Sequence, residues 1–183
     1  MAKIVAAMNM TLDGYCDHTS MNADDELHDH YTELLRNSGL AIYGRKTFQL
    51  MEFWPSLVKA PSGNKAMDDF AVVIDSIPKI VFSCTLKDLD WPTARLATKD
   101  LKDEVLDLKQ QNGKPVLVGS PGLIAELTRL GLIDEYQLSV HPTIVGSGLT
   151  LFKDITDRVD LRLLKTKTFA CGAITLYYEP TTK

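Results

Sequence analysis

Two short segments of the sequence place a glycine where a strand-like run ends and a helix-like run begins. In the first, the apolar run 40–43 leads into Gly44-Arg45-Lys46-Thr47. Glycine allows close approach to the backbone, and Thr47 is suited to cap the following helix, whose unpaired amides can meet an anion. Arg45 and Lys46 add positive charge there. The segment predicts an anion-binding turn, with a structural glycine followed by two solvated cations as the alternative.

The second segment is Gly119-Ser120-Pro121-Gly122, which follows the apolar run 115–118. Ser120 suits the N-cap of a helix and Pro121 its first position, while the two glycines leave the helix start without side chains. The segment matches neither the G-x-G-x-x-G fingerprint nor a P-loop, and its glycines can equally be structural. Two such turns in one chain predict an elongated, phosphorylated ligand that spans both.

Composition limits the class of protein that carries these turns. The chain has 183 residues, of which 45% are hydrophobic, so we expect one compact domain over residues 1–183. A formal net charge of -4 disfavours a nucleic-acid-binding protein. No signal peptide and no membrane-spanning run is evident. The three cysteines form no Cys-x-x-Cys pair, which favours a reducing, cytoplasmic environment.

The elements that must position the turns are read from hydrophobic periodicity. Helix-like patterns contain Leu27 to Leu35, Leu101 to Leu108 and Leu123 to Leu130. Strands and helices in alternation predict an α/β sandwich with a mainly parallel central sheet. The predicted strands are 3–10, 40–43, 79–84, 115–118, 136–145, 161–170 and 173–178.

The last two predicted strands meet at Cys171-Gly172, too close for a helix between them, and therefore predict an antiparallel hairpin. Neither face of the first strand is uniformly apolar, which suits a sheet edge. We expect a homodimer through this hairpin, burying residues such as Leu163 and Phe169 or their neighbours on the opposite face.

The order and spacing of five segments resemble the dihydrofolate reductase superfamily, in particular stand-alone relatives of the riboflavin-biosynthesis reductase domain. This resemblance implies a three-layer α/β/α fold and an NADPH-dependent reductase of a small heteroaromatic or ribosylamino-pyrimidine substrate. The chain lacks the His-x-Glu and Pro-Cys-x-x-Cys signature of the zinc deaminase that accompanies this domain in bifunctional proteins. The five segments are 11–14, 44–47, 79–84, 119–122 and 142–152.

The resemblance also implies where the cofactor binds. Ser83 and Thr85, with Lys87 nearby, are expected to meet the 2′-phosphate of the adenosine ribose, although both hydroxyls can instead be turn formers. Cys84 is expected to contact the cofactor or to be a core or turn residue. The full set of implied NADPH contacts is Ala7, Gly44, Arg45, Lys46, Thr47, Ser83, Cys84, Thr85, Gly119, Ser120, Pro121, Gly122 and Leu123.

On the substrate side the resemblance implies Asp13, His28, Gly146 and Gly148. Asp13 is the predicted catalytic residue, which orients the substrate or relays a proton; the alternative is a simple Asp-Gly turn. Gly146 and Gly148 can likewise serve only to turn the chain.

Dihydrofolate reductases carry a buried carboxylate on the helix before the first glycine turn, and that position falls here near His28, between Asp25 and Asp29. Folate reduction is therefore an alternative activity, and nucleotide binding without turnover is another. His28 and His30 are two residues apart on a predicted helix and point apart, so no metal site is expected.

Overall fold

In the computed structural model, which describes residues 1–21 and 23–181, one mixed sheet of eight strands lies between two layers of helices. The strands are β1 (Ile4–Thr11), β2 (Leu40–Gly44), β3 (Lys79–Phe82), β4 (Ala94–Leu96), β5 (Val116–Val118), β6 (Glu135–His141), β7 (Leu161–Thr168) and β8 (Ile174–Pro180). The helices are α1 (Asp25–Arg36), α2 (Arg45–Met51), α3 (Trp54–Lys59), α4 (Lys65–Ser76), α5 (Leu101–Gln110) and α6 (Pro121–Arg129).

The strand order is β4-β3-β2-β5-β1-β6-β8-β7, and pairing is parallel from β4 through to β6. β8 pairs antiparallel with both β6 and β7. This confirms the predicted α/β fold with its C-terminal antiparallel hairpin. β1 pairs with β5 only through residues 4–6, but with β6 as far as residue 11. A crevice therefore opens beside β1 beyond Ala6, where β5 has turned away into α6.

Alternate side chains of the parallel strands bury into opposite layers, as period-two geometry requires. Ile4 and Ile42 pack in the layer of α5 and α6, whereas Val5 and Tyr43 pack in the layer of α1, α2 and α4. Both faces of these strands are thus apolar, which explains their near-continuous hydrophobic runs in the sequence. No helix within the described ranges is long and apolar enough to cross a membrane.

Three elements escaped the sequence prediction. β4 has only three residues and its central Arg95 is exposed, so it carries little hydrophobic signal. α3 and α4 follow α2 closely in a segment for which no helix was predicted, and a loop at 60–64 separates them. Asn64 ends that loop by capping α4, because its side chain accepts the amide of Met67 at 2.9 Å.

The C-terminal hairpin turns where it was predicted to turn. Gly172 adopts φ +84°, a left-handed conformation that favours glycine, and the amide of Cys171 donates to Asp24 at the start of α1. Phe169 is only 3% exposed and packs with Leu27 and Ala173. The prediction that Phe169 forms part of a dimer contact is therefore wrong, because the residue belongs to the core beneath α1.

A buried lysine fixes the start of β3, the strand that leads to Ser83. The ammonium of Lys79 donates to the carbonyl of Ile77 at 2.7 Å and to the hydroxyl of Thr93 at 2.8 Å. It also lies 4.0 Å from the ring centre of Trp91, whose indole donates to the carboxylate of Asp75. These contacts join the end of α4 to the loop before β4. Burial lowers the pKa of Lys79 to about 8.

We expect the difference in stability between the wild type and Lys79→Met to change with pH. The Lys79 pKa of about 8 lies below its usual value of 10.5. Between these values the unfolded wild type binds more protons than the folded one, so its free energy of unfolding rises with pH relative to the variant. The relative gain from pH 8 to 10 is about 2 kcal/mol. Urea unfolding at both pH values measures it, and a difference that stays constant would contradict the burial argument.

Candidate functional site

The two predicted glycine turns lie side by side in the structure. β2 and β5 are adjacent parallel strands, so Gly44 and Gly119 both follow strand ends at the same edge of the sheet. The amide of Gly44 donates to the hydroxyl of Ser120 at 2.8 Å. This hydrogen bond links the two turns directly, across 76 residues of sequence.

Ser120 occupies the N-cap of α6 as predicted, but its hydroxyl makes no capping hydrogen bond to that helix. Pro121 takes the first helical position. A Cβ on Gly122 would meet nothing within 4 Å, so this face of the first turn is open. The start of α6 thus offers uncapped amides without a side chain over them, and such amides favour an anion.

The two glycines of this turn differ in their surroundings. A Cβ on Gly119 would lie 3.0 Å from the ring of Tyr43. Gly119 is therefore required by packing, whereas Gly122 is not. Leu123 packs beside Gly44, with its side chain 3.8 Å from the position of a Cβ there.

α2 starts directly at Arg45, with Gly44 as its N-cap residue. The prediction that Thr47 caps this helix is wrong, because Thr47 already lies in the first turn, one residue after Lys46. Arg45 and Lys46 are both exposed. Their positive charges therefore lie at the surface at the end of β2.

Beside this turn lies a cavity of about 500 Å³. The predicted residues Arg45, Ser83, Cys84 and Thr85 line it, so the structure brings the end of β2 and the end of β3 together around one space. Lys87 is not among its lining residues. Phe82, Ala97, Lys99 and Asp100 complete the lining.

Ser83 ends β3 earlier than the sequence predicts. Its hydroxyl accepts the amides of Thr85 at 3.1 Å and Leu86 at 3.0 Å, which turns the chain and leaves Cys84 exposed in the turn. The turn-forming alternative for Ser83 therefore holds, and the same turn presents its residues to the cavity.

Lys99 and Asp100 were missed by the sequence analysis. They follow β4, a strand too short to be recognised, and Asp100 caps α5 by accepting the amide of Asp103 at 2.9 Å. Lys99 forms an ion pair with Asp107 on α5. The sequence did contain one signal for this position. Asp100 stands three residues before a second acid, Asp103, at the start of the helix predicted from Leu101 to Leu108.

Ala7 lies on β1 just beyond the last residue that pairs with β5, and it is buried. Its position borders the crevice between β1 and the two glycine turns.

Asp13 lies in the loop after β1, and its carboxylate is hydrogen-bonded rather than free. It accepts the hydroxyl of Thr11 at 2.6 Å and the amide of Gly146 at 2.7 Å. The hydroxyl of Thr11 and these loop amides hold the pKa of Asp13 below its usual value. Asp13 is thus ionised at neutral pH and joined to the predicted substrate-side loop.

His28 faces away from the sheet, towards α3 and α4. Its ring lies 6.2 Å from that of Trp54 and 6.3 Å from that of Phe70, both edge-on. The two acids that flank it, Asp25 and Asp29, are exposed. The position therefore offers no buried carboxylate of the kind that folate reduction uses.

His30 points the other way, towards Phe169 and Tyr177, and burial lowers its pKa to about 4. His28 and His30 thus diverge as the helical spacing predicts. In the parts of the chain that the structure describes, no group of three or more His, Cys, Asp or Glu side chains could hold a metal ion.

Comparison with known proteins adds an independent observation. The sequence model of the RibD C-terminal domain matches residues 2–175. The chain is 31% identical to the protein YyaP of Bacillus subtilis (strain 168) over 181 residues, which are 97% of this chain and 94% of that protein. The resemblance inferred from the motifs is thereby confirmed.

Solved structures with the same fold come from proteins of related description. A candidate riboflavin biosynthesis protein from Shewanella sp. PV-4 superposes with a TM-score of 0.75 at 18% identity, covering 100% of both chains. A diaminohydroxyphosphoribosylaminopyrimidine deaminase/5-amino-6-(5-phosphoribosylamino)uracil reductase from Thermotoga maritima gives a TM-score of 0.67 at 19% identity, covering 98% of this chain and 57% of that one. At these identities the likeness shows the fold alone.

Proposed function

This chain belongs to the RibD C-terminal domain family, a reductase-type family related to the pyrimidine reductase of riboflavin biosynthesis, and we propose that it is an NADPH-dependent reductase of a ribosylamino-pyrimidine or similar heteroaromatic compound. The observation that carries the proposal is the pair of glycine turns joined by the Gly44–Ser120 hydrogen bond. Together they line one edge of the sheet beside the crevice at β1.

The residues at this edge fit the chemical groups of NADPH. The open start of α6 at Gly122 suits a diphosphate, because a helix of nine residues directs unpaired amides and a partial positive charge at an anion. Arg45 adds a full charge from the neighbouring turn. Gly44, Lys46, Thr47, Gly119, Ser120, Pro121 and Leu123 complete the surroundings that we assign to the diphosphate.

The adjoining cavity suits the phosphorylated adenosine ribose. Arg45 supplies positive charge there, while Ser83 and Thr85 supply hydroxyls. Lys99 also lines the cavity but is paired with Asp107, and Asp100 adds a negative charge. The cofactor, when bound, supplies the hydride, so the task of the chain is to orient the two reactants and to exclude water. We place the reacting end in the crevice beside Ala7, and the substrate between the crevice and the loop that contains Gly146 and Gly148.

The proposed substrate class follows from the relatives. The Thermotoga maritima protein is described as a deaminase joined to a 5-amino-6-(5-phosphoribosylamino)uracil reductase, and this chain matches about half of it. The deaminase signature is missing from the sequence. Reduction of the pyrimidine without deamination is the activity that fits both facts.

The assay that tests the proposal follows NADPH oxidation with 5-amino-6-(5-phosphoribosylamino)uracil, with dihydrofolate in parallel. Pyrimidine-dependent oxidation supports the proposal, and oxidation with dihydrofolate alone would replace it by folate reduction. Tight NADPH binding without turnover of either compound would leave a nucleotide-binding protein.

Calorimetry with both cofactors adds a second readout. We expect NADPH to bind roughly ten-fold more tightly than NADH, because charge-assisted contacts contribute about 1.5–3 kcal/mol. Equal affinities would refute the assignment of the cavity.

Substitution of the two glycines separates binding from packing. Gly122→Val places a side chain in open space over the start of α6, so we expect NADPH affinity to fall by about ten-fold or more with little change in the unfolding midpoint. Gly119→Val meets the ring of Tyr43 and should cost about 1–3 kcal/mol of stability. Calorimetry and urea unfolding measure the two effects.

Gly113→Val is the matched control for Gly122→Val. A Cβ on Gly113 also meets nothing within 4 Å, but this residue precedes β5, at the far end of that strand from the turn. We expect it to bind NADPH as the wild type does. If Gly122→Val also retains wild-type affinity, the diphosphate does not lie at α6.

We also propose a homodimer through the C-terminal hairpin. Within the part of the chain that the structure describes, β7 is the last strand of the sheet and no strand pairs with its outer edge; six of its eight residues are exposed. Leu163 is 51% exposed and Leu164 44%. A second copy would cover both the apolar side chains and the open edge. Each subunit keeps its own cofactor turns, since β8, β6 and β1 separate β7 from β5.

Light scattering at micromolar concentration tests the dimer. We expect about twice the single-chain mass of 20.4 kDa, reduced to the single-chain mass in Leu163→Glu. Val72→Glu, at a residue on α4 that is 56% exposed, is the control and should stay dimeric. A wild-type mass near that of one chain would rule out the interface.

A further inference from the structure

We propose that Asp13 is a positioning residue, which fixes the loop 142–151 against the end of β1 and acts on the substrate only through that loop. The inference rests on the proposed function, because that function assigns the loop to the substrate side of the crevice. It replaces the proton-relay role that the sequence suggests for the same carboxylate.

Hydrogen bonds occupy most of the acceptor sites on the carboxylate of Asp13. A carboxylate offers about four such sites. Oδ1 accepts the hydroxyl of Thr11 at 2.6 Å, and Oδ2 accepts two amides, that of Gly146 at 2.7 Å and that of Val145 at 3.1 Å. The amide of Val145 also lies 3.4 Å from Oδ1. Three donors thus occupy three of the carboxylate's roughly four acceptor sites, and a positioning role keeps all of these bonds.

Thr11 extends this set of bonds back into the sheet. Its hydroxyl donates to Asp13 and accepts the amide of Tyr15 at 3.0 Å, while the side chain itself is fully buried at the end of β1. A continuous series of hydrogen bonds therefore runs from the end of β1, through the hydroxyl of Thr11 and the carboxylate of Asp13, to the amide of Gly146. A carboxylate that had to approach a substrate would not need this support.

The backbone pairs the same two loops. The amide of Leu12 donates to Thr143 at 2.8 Å, that of Cys16 to Leu149 at 2.7 Å, and that of Leu151 to Gly14 at 3.2 Å. Tyr15 and Thr150 form an isolated antiparallel bridge. The loops thus form one two-loop unit. Asp13 ties the amides of Val145 and Gly146 into it, and the hydroxyl of Tyr15 donates to the carbonyl of Gly146 at 3.4 Å.

The conformation of the loop explains why a side chain is needed there. Gly146 has φ +75° and Gly148 has φ +140°, conformations that glycine adopts freely but also leaves freely. Between the backbone bonds of Thr143 and Leu149, the amides of Val145 and Gly146 depend on Asp13 for their acceptor. Without Asp13, we expect this part of the loop to sample other conformations.

Three variants test the role: Asp13→Ala, which removes both oxygens; Asp13→Asn, which keeps one; and Asp157→Asn as a control at an exposed acid of the same connection between β6 and β7. Each is measured for NADPH affinity, for kcat and KM with 5-amino-6-(5-phosphoribosylamino)uracil, and for amide exchange at Val145 and Gly146. Separate values of kcat and KM distinguish lost binding from lost chemistry.

For Asp13→Ala we expect KM for the pyrimidine to rise by about ten-fold or more, with a smaller change in kcat and unchanged NADPH affinity. Exchange at the two amides should accelerate by about ten-fold or more, since their acceptor is lost. Asp13→Asn should fall between the wild type and Asp13→Ala in both readouts, because one oxygen can still accept an amide. The control should match the wild type.

A different pattern would overturn the inference. If Asp13→Asn and Asp13→Ala both lose about 100-fold or more in kcat while KM and amide exchange stay as in the wild type, Asp13 transfers a proton. If the wild type neither binds nor oxidises NADPH, the proposed function fails instead. The exchange comparison then still decides the structural claim, because equal exchange in the wild type and Asp13→Ala would show that Asp13 does not hold the loop.

Discussion

The hydrogen bond from the amide of Gly44 to the hydroxyl of Ser120 determines the geometry of the candidate site. It forms where the ladder between β2 and β5 has ended, so no backbone carbonyl is available to Gly44 from that pairing. A polar group left unsatisfied in a partly buried place costs about 1–3 kcal/mol. The hydroxyl of Ser120 therefore accepts a hydrogen bond from the end of β2 and does not cap α6. The first turn of α6 remains uncapped as a result, and an anion is the partner that such a turn favours.

The same constraint arranges the surrounding parts. Because adjacent parallel strands end at one edge, fixing the ends of β2 and β5 also fixes where α2 and α6 begin. Arg45 then stands next to the turn after β3, whose own start is held by the buried ammonium of Lys79. Charge, hydroxyls and bare backbone at the proposed cofactor edge thus come from the ends of four neighbouring strands, β2, β3, β4 and β5.

The sequence predicted the parts of the site that depend on local backbone chemistry. Glycine after an apolar run indicates a turn regardless of tertiary context. The turns at Gly44 and Gly119 were therefore predicted, and the structure places them side by side. The role of Thr47 was wrong because the position of a cap depends on where the helix begins, and α2 begins two residues earlier. Lys99 was missed because its position beside Arg45 follows from β4, which has three residues and no hydrophobic pattern. Phe169 was misplaced because the alternation of the predicted strand 161–170 does not reveal that β7 ends one residue before Phe169 and that α1 covers this residue.

The two sides of the crevice are built differently, and this difference bears on how such a protein can change its substrate. The proposed cofactor side consists of backbone turns between packed strands and helices, where a Cβ on Gly119 would lie 3.0 Å from the ring of Tyr43. The proposed substrate side is the two-loop unit, held by a few hydrogen bonds around Asp13 and largely exposed. Loops of this kind tolerate replacement while the scaffold remains. A family that keeps one edge for the cofactor can therefore diverge in substrate by altering residues 142–151, provided that an acceptor remains for the amides of the loop.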